Sequence, residues 1–169
     1  MDIKNSTIKD IDEIFRIYKM ATDLQKTKYI VVWPEFERTL IETEINENRQ
    51  WKMIIDGKIA CVWAITFTDP LIWGERNNDP AMYIHRIATH SAFRGKNLVL
   101  EIVKWAKKYA KENNKKFIRM DTVGENKKLI DHYKNSGFDF LGLSKLKNTE
   151  GLPQHYHNAT VSLFELALN

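Results

Sequence analysis

An apolar strand that leads into a long amphipathic helix, and then into another strand, constrains this chain more than any other feature. Residues 81–88 carry the first strand pattern, residues 96–113 the helix and residues 117–122 the second strand. Two strands joined by a crossover helix are expected to pair in parallel. Elsewhere, Asp56-Gly57 between two apolar runs predicts an antiparallel hairpin. We therefore expect a mixed sheet.

The remaining segments alternate between the same two patterns. Strands are predicted over residues 1–6, 50–55, 58–68, 138–146 and 158–168, and helices from Thr7 to about residue 21, over 34–45 and over 126–135. No repeat, low-complexity tract or linker interrupts the 169 residues. The sequence therefore predicts one domain over 1–169 of the α+β (mixed α/β) class, with a mixed six- to seven-stranded sheet flanked by about four helices.

Composition excludes several classes of protein. The chain is 43% hydrophobic and 28% charged, and its longest apolar run, Ile59–Ile65, is too short to span a bilayer. The start, Met1–Lys4, lacks the apolar segment of a secretory signal. Cys61 is the single cysteine, which excludes an intramolecular disulfide and predicts a buried thiol. We expect a cytoplasmic protein with no membrane partner.

A net charge of +4 raises the question of nucleic-acid binding. The lysines are spread over the predicted helix faces and never form a block of five or more. A nucleic-acid-binding domain would thus rest on charge alone, and we expect no nucleic-acid partner.

The predicted helix over 96–113 begins at a small, basic turn, Arg94-Gly95-Lys96. The first amide N–H groups of a helix lack partners, and the helix dipole places partial positive charge there. The turn therefore predicts a ligand that carries phosphate, although an ordinary strand-to-helix connection would have the same pattern.

Two segments give the chain a resemblance to the GNAT superfamily of N-acetyltransferases. Residues Ile87–Lys96 are similar to the family's fourth strand, pyrophosphate loop and following helix, and residues Asn126–Phe138 are similar to its last conserved block. That block has an Asn, a Tyr seven residues later and a Gly-Phe pair that closes the helix. The Asp56-Gly57 hairpin also falls where the family has one.

No metal is expected, because His155 and His157 are spaced like a metal pair but have no Cys or acidic partner nearby. The resemblance implies acetyl-CoA as co-substrate and a set of contacts. Pantetheine would pair with the backbone of the strand, pyrophosphate would bind the loop amides, and two side chains of the last block would also contact CoA. The residues at these positions are Ile87, Ala88 and Thr89; Arg94, Gly95, Lys96, Asn97, Leu98 and Val99; and Asn126 and Tyr133. In the family such a Tyr protonates the departing thiolate. Taken alone, Tyr133 could be a core aromatic and Asn126 a helix cap.

The loop departs from the family pattern at two positions. Asn97 stands where a Gly is expected, and Val99 stands where a Gly or Ala is expected. Asn tolerates a left-handed backbone, so the first change is mild. Val99 places a branched side chain where the backbone approaches phosphate, which would weaken CoA binding or shift the loop.

The acceptor amine must lose a proton before it attacks. His85 is a candidate base because histidine titrates near neutral pH, although a buried, hydrogen-bonded histidine is an equal alternative. Strand alternation places His85 and Ile87 on one face and Arg86 and Ala88 on the other. No Ser-His-Asp or Cys-His arrangement has supporting context, so we expect direct attack on the thioester.

The acceptor site is the least determined part. By the resemblance it involves the segment 28–36, with Tyr29 and Trp33, and the loop with Trp73 and Glu75. His155 lies in a later loop and is a further candidate. Aromatic walls with an acid could hold a cationic amine. Alternatively, the tryptophans are core residues, as Trp63 is expected to be.

Two functions follow. The first is an acetyl-CoA-dependent N-acetyltransferase that acts on a primary amine of a small molecule or peptide. The second, which the Asn97 and Val99 changes motivate, is a non-catalytic module that senses CoA or acyl-CoA. A homodimer is compatible with such a fold.

Overall fold

The computed structural model describes residues 1–28 and 31–169. Within them the strands are Asp2–Asn5 (β1), Gln50–Ile55 (β2), Lys58–Thr66 (β3), Ala81–Thr89 (β4), Phe117–Val123 (β5), Asp139–Lys145 (β6) and Thr160–Ala167 (β7). The helices are Ile11–Thr27 (α1), Arg38–Asn46 (α2), Pro70–Trp73 (α3), Leu98–Glu112 (α4) and Lys127–Asn135 (α5). The strands form a mixed sheet in the order β1-β2-β3-β4-β5-β7-β6. The predicted fold class is confirmed.

The chain divides into two compact units, each built from two stretches. The first contains residues 1–65 and 85–98, and the second contains residues 66–84 and 99–169. A single domain over 1–169 therefore stays a prediction.

Strands β1, β2 and β3 of the first unit pair antiparallel. β1 pairs with β2, with Asp2 opposite Ile54, and β2 pairs with β3, with Trp51 opposite Trp63. The turn between β2 and β3 is the predicted hairpin, and Asp56 and Gly57 have φ angles of 51° and 75°. Two successive positive φ angles are the requirement of a type I′ turn, for which Asp-Gly is a preferred pair.

The core of the first unit lies between α1, α2 and the strands. Ile14, Ile17 and Ile41 are buried together with Val62 of β3 and Ala88 of β4. Helix α2 begins at Arg38, so the prediction that it starts at residue 34 is wrong. The preceding residue, Glu37, is extended, and Phe36 is buried against Tyr18 with ring centres 5.6 Å apart.

The second unit contains the parallel pairing that the sequence predicted. β4 pairs in parallel with β5, with Ala81 opposite Phe117 and Tyr83 opposite Arg119. β5 and β6 each pair antiparallel with β7. Along α4, the residues that point into the core are fully or nearly fully buried: Ile102, Val103, Ala106 and Ala110.

Helix α3 was not predicted, because Asp69-Pro70 has the composition of a loop. Proline is favoured in the first turn of a helix, where its missing N–H has no cost. Pro70 occupies that position, and Ile72 and Trp73 then become buried in the core of the second unit. The helix is short and depends on that burial.

Over the described ranges, no helix is both long and apolar enough to cross a bilayer.

Candidate functional site

The turn between β4 and α4 has a backbone that only some residues adopt easily. A short 3-10 turn, Ser91–Phe93, is capped by His90, whose ring Nδ1 accepts a hydrogen bond from the Ala92 N–H at 3.0 Å. Gly95 and Asn97 then have φ angles of 79° and 54°. Left-handed residues cannot continue a helix, so α4 begins at Leu98 rather than at residue 96 as predicted. The 15-residue helix still begins directly after this turn.

The two cations of the turn have different surroundings. Arg94 donates a hydrogen bond from Nη2 to the carbonyl of Met20 in α1 at 2.8 Å, which ties the turn to that helix. Lys96 is exposed, and its Nζ lies 5.2 Å from the centre of the Phe93 ring. Of the two side chains, Lys96 therefore has more freedom to reach a bound anion.

The last residues of β4 are fixed within the first unit. Ala88 is buried in its core, and the N–H of His90 donates to the carbonyl of Ala60 at 2.9 Å. The Thr89 hydroxyl lies 3.6 Å from the sulfur of Cys61. Burial raises the pKa of the Cys61 thiol to about 12, so this buried cysteine is inert, as the sequence predicted.

Arg86, between His85 and Ile87, has a backbone conformation that is unusual for a strand. Arg86 has a φ of 52°, a conformation that costs a non-glycine residue roughly 1–2 kcal/mol. Its guanidinium forms an ion pair with both carboxylate oxygens of Glu44 in α2, and Nε lies 3.5 Å from the Tyr18 hydroxyl. The guanidinium also lies 5.2 Å from the centre of the Phe36 ring. Arg86 and Ala88 thus both face the core of the first unit, as strand alternation predicted.

This ion pair is removed from water. The side chains of Arg86 and Glu44 are 11% and 5% exposed. Burial alone would lower the pKa of Arg86, but the oxygens of Tyr18 and Glu44 outweigh that effect and raise it. For the Tyr18 phenol, burial is the largest effect, and it raises the pKa. Gln50 also contacts the group, donating to the Tyr18 oxygen at 3.1 Å and to Glu44 at 3.4 Å.

A cleft of about 540 Å³ lies elsewhere in the first unit. It is bordered by the start of α1, the β2–β3 hairpin and the turn before Arg94, and Lys52 and Asp10 form a 2.6 Å ion pair in its wall. Burial would raise the pKa of Asp10, but hydrogen bonds from Lys52 and Thr7 hold it below its ordinary value. The residues predicted for acetyl-CoA and the acceptor are not among the described residues that line this cleft.

Helix α5 in the second unit carries the other predicted CoA residues. Asn126 caps the helix: its side-chain oxygen accepts a hydrogen bond from the N–H of Leu129 at 3.2 Å. Tyr133 is 9% exposed, and its ring packs against Phe164 and Phe138 with centres 5.2 Å and 6.3 Å apart. Both residues have the structural role that the sequence left open as an alternative, and their roles toward CoA stay predictions.

The predicted base and acceptor residues lie in different surroundings. His85 is half-buried on β4, Trp33 packs edge-on against Tyr18, and Trp73 is 4% exposed beside Tyr83. Glu75 is exposed in a 3-10 turn, and the His155 ring packs at a tilt against Tyr156 with ring centres 4.3 Å apart. Tyr29 lies outside the described residues. Trp63 is fully buried, as expected.

A family model decides the identity of the chain. The model of the acetyltransferase (GNAT) family matches residues 16–138. The chain belongs to the GNAT family. The uncharacterized N-acetyltransferase YesJ of Bacillus subtilis is 30% identical over 74 residues, which cover 44% of the chain and 41% of YesJ. The match therefore spans less than half the length of this relative.

Solved structures share the fold over the whole chain. A GNAT-family acetyltransferase from Listeria monocytogenes has a TM-score of 0.78 at 24% identity, covering 99% of this chain and 94% of that one. The protein yncA from Salmonella typhimurium, solved with its cofactor acetyl-CoA, has a TM-score of 0.69 at 13% identity and covers 100% and 94%. These likenesses show the GNAT fold.

The backbone of the turn accommodates one of the two departures from the GNAT loop pattern. Asn97, where the family has Gly, has the left-handed φ of 54° that a glycine would adopt. Val99 is half-buried in the first turn of α4, where the side chain needs no unusual backbone. The first departure is therefore accommodated by Asn itself, and the effect of the second on CoA stays a prediction.

Two buried groups of this GNAT chain were missed from the sequence. One is the pair Glu44 and Arg86. The other is Arg119, 1% exposed, which donates to Glu165 at 2.8 Å, to Asp79 at 2.6 Å and to the Tyr83 oxygen at 3.2 Å. The sequence feature that could have predicted such a buried group is a charged residue within an apolar stripe. Glu44, between Ile41 and Ile45 of α2, is an example. The partner of such a residue, however, is set by the fold.

Proposed function

We propose that this chain transfers the acetyl group of acetyl-CoA to a primary amine of a small molecule or peptide, by direct attack on the thioester. The observation that carries the proposal is the turn at residues 94–97, where two left-handed residues precede a 15-residue helix in a chain of the GNAT family. Such a turn can direct several N–H groups at one point, which suits a pyrophosphate. The structure of yncA with acetyl-CoA supports this ligand for the fold.

The proposal assigns contacts along the length of acetyl-CoA. Pantetheine pairs with the backbone of residues 87–89, and the pyrophosphate binds the amides of residues 94–99. Because the Arg94 side chain is hydrogen-bonded to the Met20 carbonyl, the loop amides and Lys96 make most of the contacts with the pyrophosphate. Because Asn126 uses its oxygen to cap α5, its NH₂ group is the part that contacts CoA.

The proposed reaction needs a base for the acceptor amine and an acid for the leaving thiolate. His85 removes a proton from the ammonium form of the acceptor, directly or through water, and the amine lone pair then attacks the acetyl carbonyl carbon. A β4 amide stabilises the oxyanion. The carbon–sulfur bond breaks and the thiolate takes a proton from the Tyr133 hydroxyl. The nitrogen, now part of the amide, gives up its second proton to the Tyr133 phenolate or to water. A phenol has an ordinary pKa of about 10 and is therefore protonated at neutral pH.

The acceptor region is proposed from the residues that the resemblance indicated. We assign the apolar contacts of the acceptor to Trp33 and Trp73, and the polar contacts to Glu75 and His155. An exposed carboxylate such as Glu75 suits a cationic amine. The class of acceptor is therefore an amine that is positively charged before it reacts.

Calorimetric titration with acetyl-CoA tests the proposal first. We expect saturable binding, and no heat at hundreds of micromolar would contradict both the acetyltransferase and the CoA-sensing alternative. Thiol release from acetyl-CoA over a panel of amines then separates the two. Amine-dependent release supports the enzyme, whereas tight binding without release from any amine supports the sensing module that Asn97 and Val99 motivate.

A further inference from the structure

Among the described residues, Arg86 is unlike the other non-glycine residues that have a positive φ. The rest are all Asn or Asp: Asn48, Asp56, Asn97, Asn114 and Asn158. Asn and Asp enter the left-handed region readily because their short polar side chains bond locally, whereas Arg does not. Arg86 also lies inside a strand, Ala81–Thr89, rather than in a turn. Its conformation must therefore be imposed by the surrounding structure.

The contacts that impose this conformation come from three parts of the first unit. Both carboxylate oxygens of Glu44 in α2 accept from Nη2 of the guanidinium, Nε contacts the Tyr18 hydroxyl of α1, and the guanidinium carbon lies over the Phe36 ring. Glu44 is itself held by Gln50 of β2 at 3.4 Å and lies 3.9 Å from Arg49. The Arg86 side chain thus has one arrangement available, and its backbone is fixed with it.

Arg86 lies directly before the part of β4 that is proposed to bind acetyl-CoA. The three residues that follow it, Ile87, Ala88 and Thr89, are those whose backbone is proposed to pair with pantetheine. A left-handed residue within a strand bends the chain and re-aims the groups that follow. The φ of Arg86 therefore sets the direction of the N–H and C=O groups that acetyl-CoA would meet.

We propose that Glu44 and Arg86 are positioning residues, whose ion pair holds the left-handed backbone at residue 86 and so preorganises β4 for acetyl-CoA. This inference rests on the proposed function for its ligand. It assigns neither residue a contact with acetyl-CoA.

The test distinguishes the effect of the backbone conformation at residue 86 from the effect of the ion pair itself. In a Glu44→Gln background, which leaves no buried carboxylate without its partner, Arg86→Gly and Arg86→Ala both remove the guanidinium. The two double variants differ in one respect: glycine adopts a positive φ without strain, and alanine does not. We expect the glycine variant to bind acetyl-CoA within about threefold of the wild type and the alanine variant to bind about tenfold more weakly than the glycine variant, the ratio that a left-handed alanine implies.

A matched control exists at Asn114, which is exposed at the end of α4 with a φ of 59°. Asn114→Gly and Asn114→Ala impose the same change of backbone preference at a residue that is not proposed to contact acetyl-CoA, and the two variants should bind acetyl-CoA alike. Circular dichroism and thermal unfolding establish that each variant is folded. Equal affinities for the two Arg86 double variants, whether near the wild-type value or well below it, would overturn the proposal.

Amide hydrogen exchange at residues 87–89, without ligand, provides a second measurement. The proposal expects faster exchange in the alanine double variant than in the glycine one, and similar rates would overturn it. If either double variant does not fold, the single Glu44→Gln protein takes its place, with faster exchange than wild type expected. If the wild-type protein does not bind acetyl-CoA, the proposed function fails, and exchange still decides whether the ion pair holds β4.

Discussion

Tyr133 is the residue on which the proposed chemistry depends most directly. Tyr133→Phe keeps the ring that packs against Phe138 and Phe164 and removes the hydroxyl. We expect the kcat for thiol release to fall about 100-fold or more, the range of general acid–base catalysis, with the acetyl-CoA Kd within about twofold. Tyr109→Phe, on the half-buried stack with Trp105 of α4, is the control. An unchanged kcat in the Tyr133 variant would remove the general-acid role.

Cys61 gives a prediction about reactivity at the same scale. Since burial raises the pKa of this thiol to about 12 from an ordinary 9.0, the folded protein should react with a disulfide reagent at pH 8 only as fast as it opens. Full reaction is expected in denaturant. Rapid labelling of the folded protein, at the rate of a free thiol, would contradict the buried environment.

The same pKa difference links Cys61 to alkaline stability. Between about pH 9 and 12 the folded state holds a thiol proton that the unfolded state has lost, so this contribution is complete below pH 9 and disappears as pH rises toward 12. Cys61→Ala should therefore show a shallower decline of the free energy of unfolding over that range. Denaturant melts at several pH values measure it.

At the scale of an element, helix α5 depends on its cap. Asn126→Ala removes the bond to the Leu129 N–H and should lower the free energy of unfolding by about 1 kcal/mol. Asn126→Asp keeps a capping oxygen, so it should restore stability, but it lacks the NH₂ group proposed for CoA. We expect acetyl-CoA affinity to stay reduced in Asn126→Asp. Recovery of both quantities would show that Asn126 is only a cap.

Elements also show how far local sequence determines this fold. The Asp56-Gly57 hairpin and the strand–helix–strand unit of β4, α4 and β5 follow from signals within a few residues, and both predictions are confirmed. Helix α2 starts four residues later than predicted, because Phe36 packs against Tyr18 and Arg86. Helix α3 forms because two apolar side chains can be buried. These outcomes depend on residues distant in sequence.

In the candidate site, too, some features are set by local sequence and others by residues distant in sequence. The turn at residues 94–97 could be predicted, because glycine and asparagine next to a helix start are local signals. The ion pair of Arg86 with Glu44 could not, because the two residues are 42 positions apart and neither has a motif. A charged residue in an apolar strand indicates that a partner exists, and only the fold identifies it.

At the scale of the whole molecule, a ligand that binds the folded state alone should raise the melting temperature. Acetyl-CoA at about one hundred times its Kd contributes about 2.7 kcal/mol, and a domain of this length gains roughly 2–4 °C per kcal/mol. We therefore expect a shift of about 5–10 °C in a thermal melt. Adenosine triphosphate, a polyanion without pantetheine, is the control and should shift the melt less. An equal shift with both would indicate general anion binding.

The ion pair of Glu44 and Arg86 also restricts which substitutions this sequence can accept during evolution. If either residue changes alone, the other becomes a buried charge with one fewer partner, so the intermediate is disfavoured whichever change comes first. The two positions should then be inherited as a unit, retained together or replaced together. A joint replacement that places glycine at residue 86 and a neutral residue at position 44 keeps the left-handed backbone without the salt bridge. Relatives that carry glycine at the position of Arg86 are where the residue equivalent to Glu44 would be released to vary.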